Sequence, residues 1–246
     1  MASSLAGKII LVTGASRGIG YEAALEAGRR GAHVIAVART IGGLEELDDA
    51  IKEAGSETTL VPLDLRDFDG IDRLGKAIFD RWGHLDGLVG NAGIAGPLTP
   101  VGHIEPKDFD QVMALNVTAN YRLIRSFDLL LRQSEAGRAL FISSGIVAAS
   151  VPYFGIYTTT KMALDGLVRV YAAEMANTSV RVNAFNPGPL RTALRAKAIP
   201  GEDPMTLEPP SVVASTIIDM VSPGYSENGM LFDRDFGKAR PIGTSP

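Results

Sequence analysis

Cysteine is absent from the 246 residues, which excludes a disulfide framework, a thiolate metal site and a thiol nucleophile together. Histidine is scarce: His33, His84 and His103 are scattered and form no recognisable metal cluster. Basic excess is missing too. Lys and Arg number 24 against 28 Asp and Glu, a net charge of −4, which argues against nucleic acid as a partner. The opening Met1-Ala-Ser-Ser-Leu-Ala-Gly-Lys8 lacks the basic-then-apolar order of a secretory signal. Residues 139–160 carry no charge and are long enough to span a bilayer. Ser143, Ser144, Gly145, Ser150, Pro152 and Gly155 break that run, so a buried strand and a loop explain it better. A soluble, cytoplasmic protein with no membrane partner and no metal is the expectation.

Hydrophobic residues make up 46% of the chain, and 246 residues suit one large domain with a substantial core. Short apolar runs at 8–12, 33–38, 58–62, 86–90, 138–143, 180–185 and 229–232 read as strands. Between them, 19–30, 43–54, 69–82, 106–134, 155–176 and 209–221 read as helices. Near-continuous apolar strands alternating with helices predict an α/β fold: one doubly wound, mostly parallel, seven-stranded sheet with helices on both faces. No linker divides 1–246, so a single domain is expected. The rhythm breaks at 189–210, rich in proline, where a substrate lid is expected. The tail 233–246 is polar and reads as loosely held.

The first strand runs into Thr13-Gly14-Ala15-Ser16-Arg17-Gly18-Ile19-Gly20 and then a helix. Glycines there permit a tight turn and close backbone approach, while a helix N-terminus offers unpaired N–H groups to a phosphate. The second strand ends Val37-Ala38-Arg39, without the acidic residue that would bind ribose hydroxyls in an NAD site. A guanidinium at Arg39, with Arg17 nearby, either meets a 2′-phosphate, which favours NADP(H) over NAD(H), or stands in solvent. Further on, Tyr157 and Lys161 are spaced i, i+4 at a helix start and share one face. Ser144 precedes them at the carboxyl end of a strand, where open α/β sheets bind ligands.

Together these motifs resemble the short-chain dehydrogenase/reductase family, over nearly the whole chain and in family order. The series is Thr13-Gly14-x-x-x-Gly18-x-Gly20, Asp64-Leu65, Asn91-Ala92-Gly93, Asn116, Ser144, Tyr157-x-x-x-Lys161, Asn186-Pro187-Gly188 and Thr192. The resemblance implies a Rossmann-type fold and a carbonyl–alcohol oxidoreductase, with Asn116, Ser144, Tyr157 and Lys161 as the catalytic set. It implies cofactor contacts from Gly14, Ser16, Arg17, Gly18, Ile19, Gly20, Arg39, Asp64, Leu65, Asn91, Ala92, Gly93, Tyr157, Lys161, Pro187, Gly188 and Thr192. Asp64 would meet the adenine amino group, Asn91 would support the sheet beside the cofactor, and Pro187, Gly188 and Thr192 would grip the nicotinamide. Tyr157 would exchange a proton with the substrate oxygen, Ser144 would hold that oxygen, and Asn116 would order a water beside Lys161. A phenol must fall from about 10 to about 7, near 4 kcal/mol, to act as a base at neutral pH. An ammonium at about 5 Å in an effective dielectric of about 20 supplies around 3 kcal/mol of that.

Three departures stand out. Gly90 replaces the first asparagine of the family's Asn-Asn-Ala-Gly, Thr158–Thr160 fill the Tyr–Lys gap, and the acidic-glycine ending becomes Gly229-Met-Leu-Phe-Asp233-Arg-Asp-Phe236. Expected substrate walls are Ile94-Ala95-Gly96-Pro97-Leu98, Ile146-Val147, Val151-Pro152-Tyr153-Phe154 and the lid residues Leu190, Leu194, Ile199 and Met205. They favour a hydrophobic, medium-sized carbonyl compound. Arg191, Arg195 and Lys197 either attract an acidic substrate or form a solvated lid face. The competing reading is a catalytically idle nucleotide-binding sensor or interaction protein, which would have no need of Tyr157. A serine hydrolase built on Ser144 would need a histidine beside it and a Gly-x-Ser-x-Gly elbow around it, whereas residues 142–146 read Ile-Ser-Ser-Gly-Ile and no histidine has a recognisable acid partner. The resemblance also implies a homo-oligomer, dimer or tetramer, built through 106–134 and 155–176.

Overall fold

Side chains alternate sides along a strand, and here both sides are covered. In β1 (Ile9–Thr13), Ile9 and Leu11 enter one apolar cluster while Ile10 and Val12 enter another. This two-sided burial explains why the strands read as unbroken apolar runs. In the computed structural model the described residues are 4–244. Positions 1–3 and 245–246, included above in the N-terminal stretch, the single domain and the tail, lie outside the described residues.

The remaining parallel strands are β2 (His33–Ala38), β3 (Thr58–Pro62), β4 (Gly87–Gly90), β5 (Arg138–Ile142), β6 (Arg181–Asn186) and β7 (Met230–Asp233). One face is covered by α1 (Gly18–Arg29), α2 (Ile41–Glu53) and α8 (Ala214–Met220). The other is covered by α3 (Phe68–Trp82), α5 (Ala119–Gln133) and α6 (Gly155–Glu174). The sheet order is β3-β2-β1-β4-β5-β6-β7, with an eighth strand, β8 (Lys238–Pro241), antiparallel to β7. Strand order reverses between β1 and β4, so a crevice opens beyond their carboxyl ends.

The count of seven strands is therefore corrected to eight, and the tail is not loose up to Pro241. β8 lacks apolar alternation because it is an edge strand of Lys238, Ala239, Arg240 and Pro241, three of them exposed. Charge and proline on an edge discourage further pairing, and they also hide a strand from pattern reading. The single helix expected over 106–134 is α4 (Pro106–Met113) and α5 joined by a π-turn, Ala114–Thr118, centred on Asn116. Such wide turns recur at functional sites. Within 189–210 the chain forms a short helix, α7 (Ala193–Ala198), and a 3-10 turn at Pro204–Thr206.

Candidate active site

The turn after β1 is held from below by a buried hydroxyl. Thr13 Oγ1 donates to the Val89 carbonyl (3.2 Å) and accepts from the backbone N–H groups of Asn91 (2.9 Å) and Ala92 (3.1 Å). Asn91 Nδ2 donates to the Thr13 carbonyl at 2.8 Å, locking β4 to the turn. Gly14 and Gly18 have φ of +67° and +61°, a region that favours glycine. A Cβ on Gly20 would stand 2.4 Å from the Gly14 carbonyl oxygen, so α1 can approach the turn only because that atom is missing. Arg17 at the N-cap provides no side-chain cap, and the helix N-terminus is left to face the cleft. Glycine cradle and uncapped N–H groups together fit a dinucleotide pyrophosphate.

The cleft above this turn measures about 1130 Å³. Gly14, Ser16, Arg17, Gly18, Ile19, Arg39, Leu65, Asn91, Ala92, Gly93, Ser144, Tyr157, Lys161, Pro187, Gly188 and Thr192 all line it. Gly20, Asp64 and Asn116 do not reach its wall. Gly20 lies beneath the turn. Both carboxylate oxygens of Asp64 accept from Arg66, whose Nη2 is 2.6 Å away, and that bond holds the acid down to about 2. Arg17 and Arg39 have no carboxylate within ion-pair distance among the described residues.

Tyr157 stands in the first turn of α6, and Lys161 one turn later on the same face. Burial pushes the Tyr157 phenol up, while a hydrogen bond with the Ser144 hydroxyl pulls it down. The Lys161 ammonium lies 5.7 Å from the Tyr157 ring centroid but donates to the Ile142 carbonyl at 2.6 Å. Burial lowers Lys161 to about 8, partly opposed by the negative charge of Asp165. The expected lowering of the phenol by this ammonium is not found: burial dominates, and the Ser144 hydroxyl is what opposes it.

Asn116 is fully buried and spends its amide on structure. Its Oδ1 accepts from Ile94 N–H (3.0 Å), and its Nδ2 donates to the Ile94 carbonyl (2.8 Å) and to Thr160 Oγ1 (3.0 Å). Thr160 in turn donates to the Tyr157 carbonyl at 2.9 Å, so the π-turn ties the loop after β4 to the face of α6 that carries Tyr157 and Lys161. At the far wall, Gly188 has φ +66° and Asn186 Nδ2 donates to buried Asp233 at 3.0 Å. Thr192 caps α7 by accepting from Arg195 N–H. Sequence reasoning missed Thr160, Asp233 and Asp235. The first two act through burial that no spacing reveals, and Asp235 reaches the cleft only because β8 turns the chain back.

Of the expected substrate walls, Ile94–Pro97, Ile146, Phe154, Leu190 and Leu194 line the cleft. Leu98, Val147, Val151, Pro152, Tyr153, Ile199 and Met205 do not. Arg191, Arg195 and Lys197 all reach it, with Arg195 paired to Glu202 at 2.6 Å.

The sequence profile of the short chain dehydrogenase family matches residues 8–203. An uncharacterized oxidoreductase, YciK, of Escherichia coli K12 is 35% identical over 235 residues, covering 94% of this chain and 93% of its own. Trihydroxynaphthalene reductase of Colletotrichum orbiculare is 34% identical over 196 residues, 77% of this chain and 67% of its own. A short chain dehydrogenase of Shigella flexneri 2a, solved in complex with NADP, superposes with a TM-score of 0.90 at 35% identity, covering 95% of this chain and 99% of its own.

Proposed function

The chain belongs to the short chain dehydrogenase family, an oxidoreductase of carbonyl and alcohol groups, and from that premise we propose that it is NADP(H)-preferring and uses Tyr157 as acid/base. The observation that carries this reading is the convergence of Ser144, Tyr157 and Lys161 on one cleft with the glycine turn. The preference for the 2′-phosphorylated cofactor is supported by Arg17 and Arg39 at the adenosine end, and by the Shigella flexneri relative solved with NADP.

When bound, the cofactor supplies a hydride to the carbonyl carbon or takes one from the alcohol carbon. Ser144 offers its hydroxyl to the substrate oxygen, beside the phenol it already bonds. Tyr157 gives that oxygen its proton. A phenol raised by burial is fully protonated at neutral pH, which suits carbonyl reduction. Lys161, still charged below about 8, stabilises the phenolate left behind. Asn116 and Thr160 act one step back by fixing the tyrosine's helix and the loop after β4.

Apolar Ile94, Ile146, Phe154, Leu190 and Leu194 support a hydrophobic carbonyl substrate. Cytoplasmic action as a homo-oligomer belongs to the same proposal. Tyr121 and Leu129 on α5, with Met162 and Val170 on α6, are exposed apolar side chains that support pairing of those two helices. The test is NADPH binding followed by turnover on a panel of apolar ketones, with native protein and Tyr157→Phe. Native turnover that falls about a thousandfold or more in the variant, with NADPH binding retained, is the expected result. Tight binding without turnover on any carbonyl would favour the idle sensor.

A further inference from the structure

The hairpin between β7 and β8 delivers to the cleft a carboxylate that the reaction above leaves unused. Asp235 sits two residues beyond Asp233 and lines the same wall as Asn186, Pro187 and Gly188. Its Oδ1 occupies the space where a side chain on residue 188 would begin: a Cβ on Gly188 would stand 2.3 Å from it. Its Oδ2 lies 3.5 Å from Asn186 Nδ2, and its backbone N–H donates to Asp233 Oδ1 at 3.2 Å. These contacts fix the carboxylate directly over Gly188.

Nothing positive neutralises it locally. Among the described residues no Lys, Arg or His nitrogen lies within 4 Å of Asp235, since neighbouring Arg234 turns to Glu208 and Arg240 faces Asp233. The charged lining of the cleft is otherwise mostly basic, with Arg17, Arg39, Lys161, Arg191, Arg195 and Lys197, and Asp108 on α4 is its other acid. Cations along the wall suit phosphates, whereas a carboxylate on that wall suits a positively charged group. A nicotinamide ring is neutral when it carries the hydride and positive once it has given it up. A fixed carboxylate beside that ring distinguishes the two forms by Coulomb attraction.

We propose that Asp235 biases the cleft toward the oxidised cofactor, strengthening NADP⁺ relative to NADPH and so assisting departure of the hydride during carbonyl reduction. This rests on the reading that Pro187 and Gly188 hold the nicotinamide. Asparagine at 235 keeps the shape and an acceptor for Asn186 while removing the charge, and the position is exposed, so the fold should tolerate it.

The experiment is calorimetric titration of NADP⁺ and NADPH, without carbonyl substrate, into native protein and Asp235→Asn. NADP⁺ should weaken about three- to tenfold in the variant while NADPH hardly changes. The difference should shrink as salt rises from about 10 mM to about 1 M. Equal changes for both forms, no change, or a stronger NADP⁺ would overturn the proposal while leaving the cofactor site intact. If native protein binds neither nucleotide, the cofactor reading fails first and the proposal falls with it.

Discussion

The floor of the cleft and the segment 189–210 beside it, the proposed lid, are built by opposite means. The floor is backbone: Gly20 brings α1 against the turn and Gly14 packs on Asn91 and Ala92 with no room for a Cβ, Gly18 supplies a positive φ, and Thr13 and Asn91 bolt the turn to β4. The lid, residues 189–210, is side chains: a Thr192 cap, the Arg195–Glu202 pair and partly exposed Leu194. It meets the turn where Thr192 Cγ2 lies 3.7 Å from where a Gly18 Cβ would be. A floor made of absent side chains tolerates almost no change. A segment made of present ones, Thr192 apart, is expected to be altered with less effect on the nucleotide end of the cleft.

The strongest challenge to that contrast is Gly20→Ala. Its methyl would press on the Gly14 carbonyl at 2.4 Å, so the turn must shift. We expect about a hundredfold weaker NADPH binding from a displacement on the ångström scale, and about 1–3 kcal/mol lower stability by denaturant titration. Wild-type affinity in this variant would show that the floor is pliable. Next in size is Arg39→Ala at the rim of the floor. Loss of one charge-assisted contact should weaken NADPH by about 10- to 100-fold and NADH hardly at all, read by parallel titrations. Equal small losses would place Arg39 in solvent.

Lys161→Met sharpens the comparison from the proposed catalytic wall. The lysine titrates at about 8 when folded, below its ordinary 10.5, because burial disfavours its charge. Between those values the unfolded chain holds the proton and the native protein does not, so stability rises with pH across that window. Below about 8 the penalty is present in full. The variant should therefore be more stable than native protein at pH 7, by about 1–3 kcal/mol, with turnover lost. The gain should fade as pH rises from about 8 towards 10.5. Equal stability at pH 7 would mean the Ile142 hydrogen bond offsets the burial cost.

What could be read from sequence follows the same division between backbone and side chain. The seven parallel strands were legible because two-sided burial writes an apolar run, and the floor was legible because tight turns demand glycine. Tyr157 and Lys161 were legible as a helical i, i+4 pair. β8 was not, since Lys238, Arg240 and Pro241 serve an exposed edge and leave no apolar period. Nor was the π-turn at Asn116, which needs the buried partners Ile94 and Thr160 to hold it open. The phenol's upward shift was hidden too, because it depends on how much protein covers Tyr157 and not on its neighbours in sequence. Asp235 combines both obstacles: its place follows from a strand without a pattern, and its effect from a glycine more than forty residues earlier.

The mildest expected effect lies in the lid. Arg195 holds Glu202 through a two-pronged contact, 2.6 and 2.7 Å, and both residues remain partly exposed to water. Solvent screening leaves such a pair little net strength, so Arg195→Ala should raise KM for an apolar ketone less than about threefold and leave NADPH affinity unchanged. The direction of the pH effect is set by Glu202, whose acid is lowered by its bond to Arg195. In native protein the contact is present above the ordinary carboxylate range and fades as pH falls through the lowered value. The KM ratio between variant and native protein should accordingly be greatest at neutral pH and approach one under acid conditions. A loss of NADPH affinity as large as that of Gly20→Ala would mean that floor and lid act as a single unit.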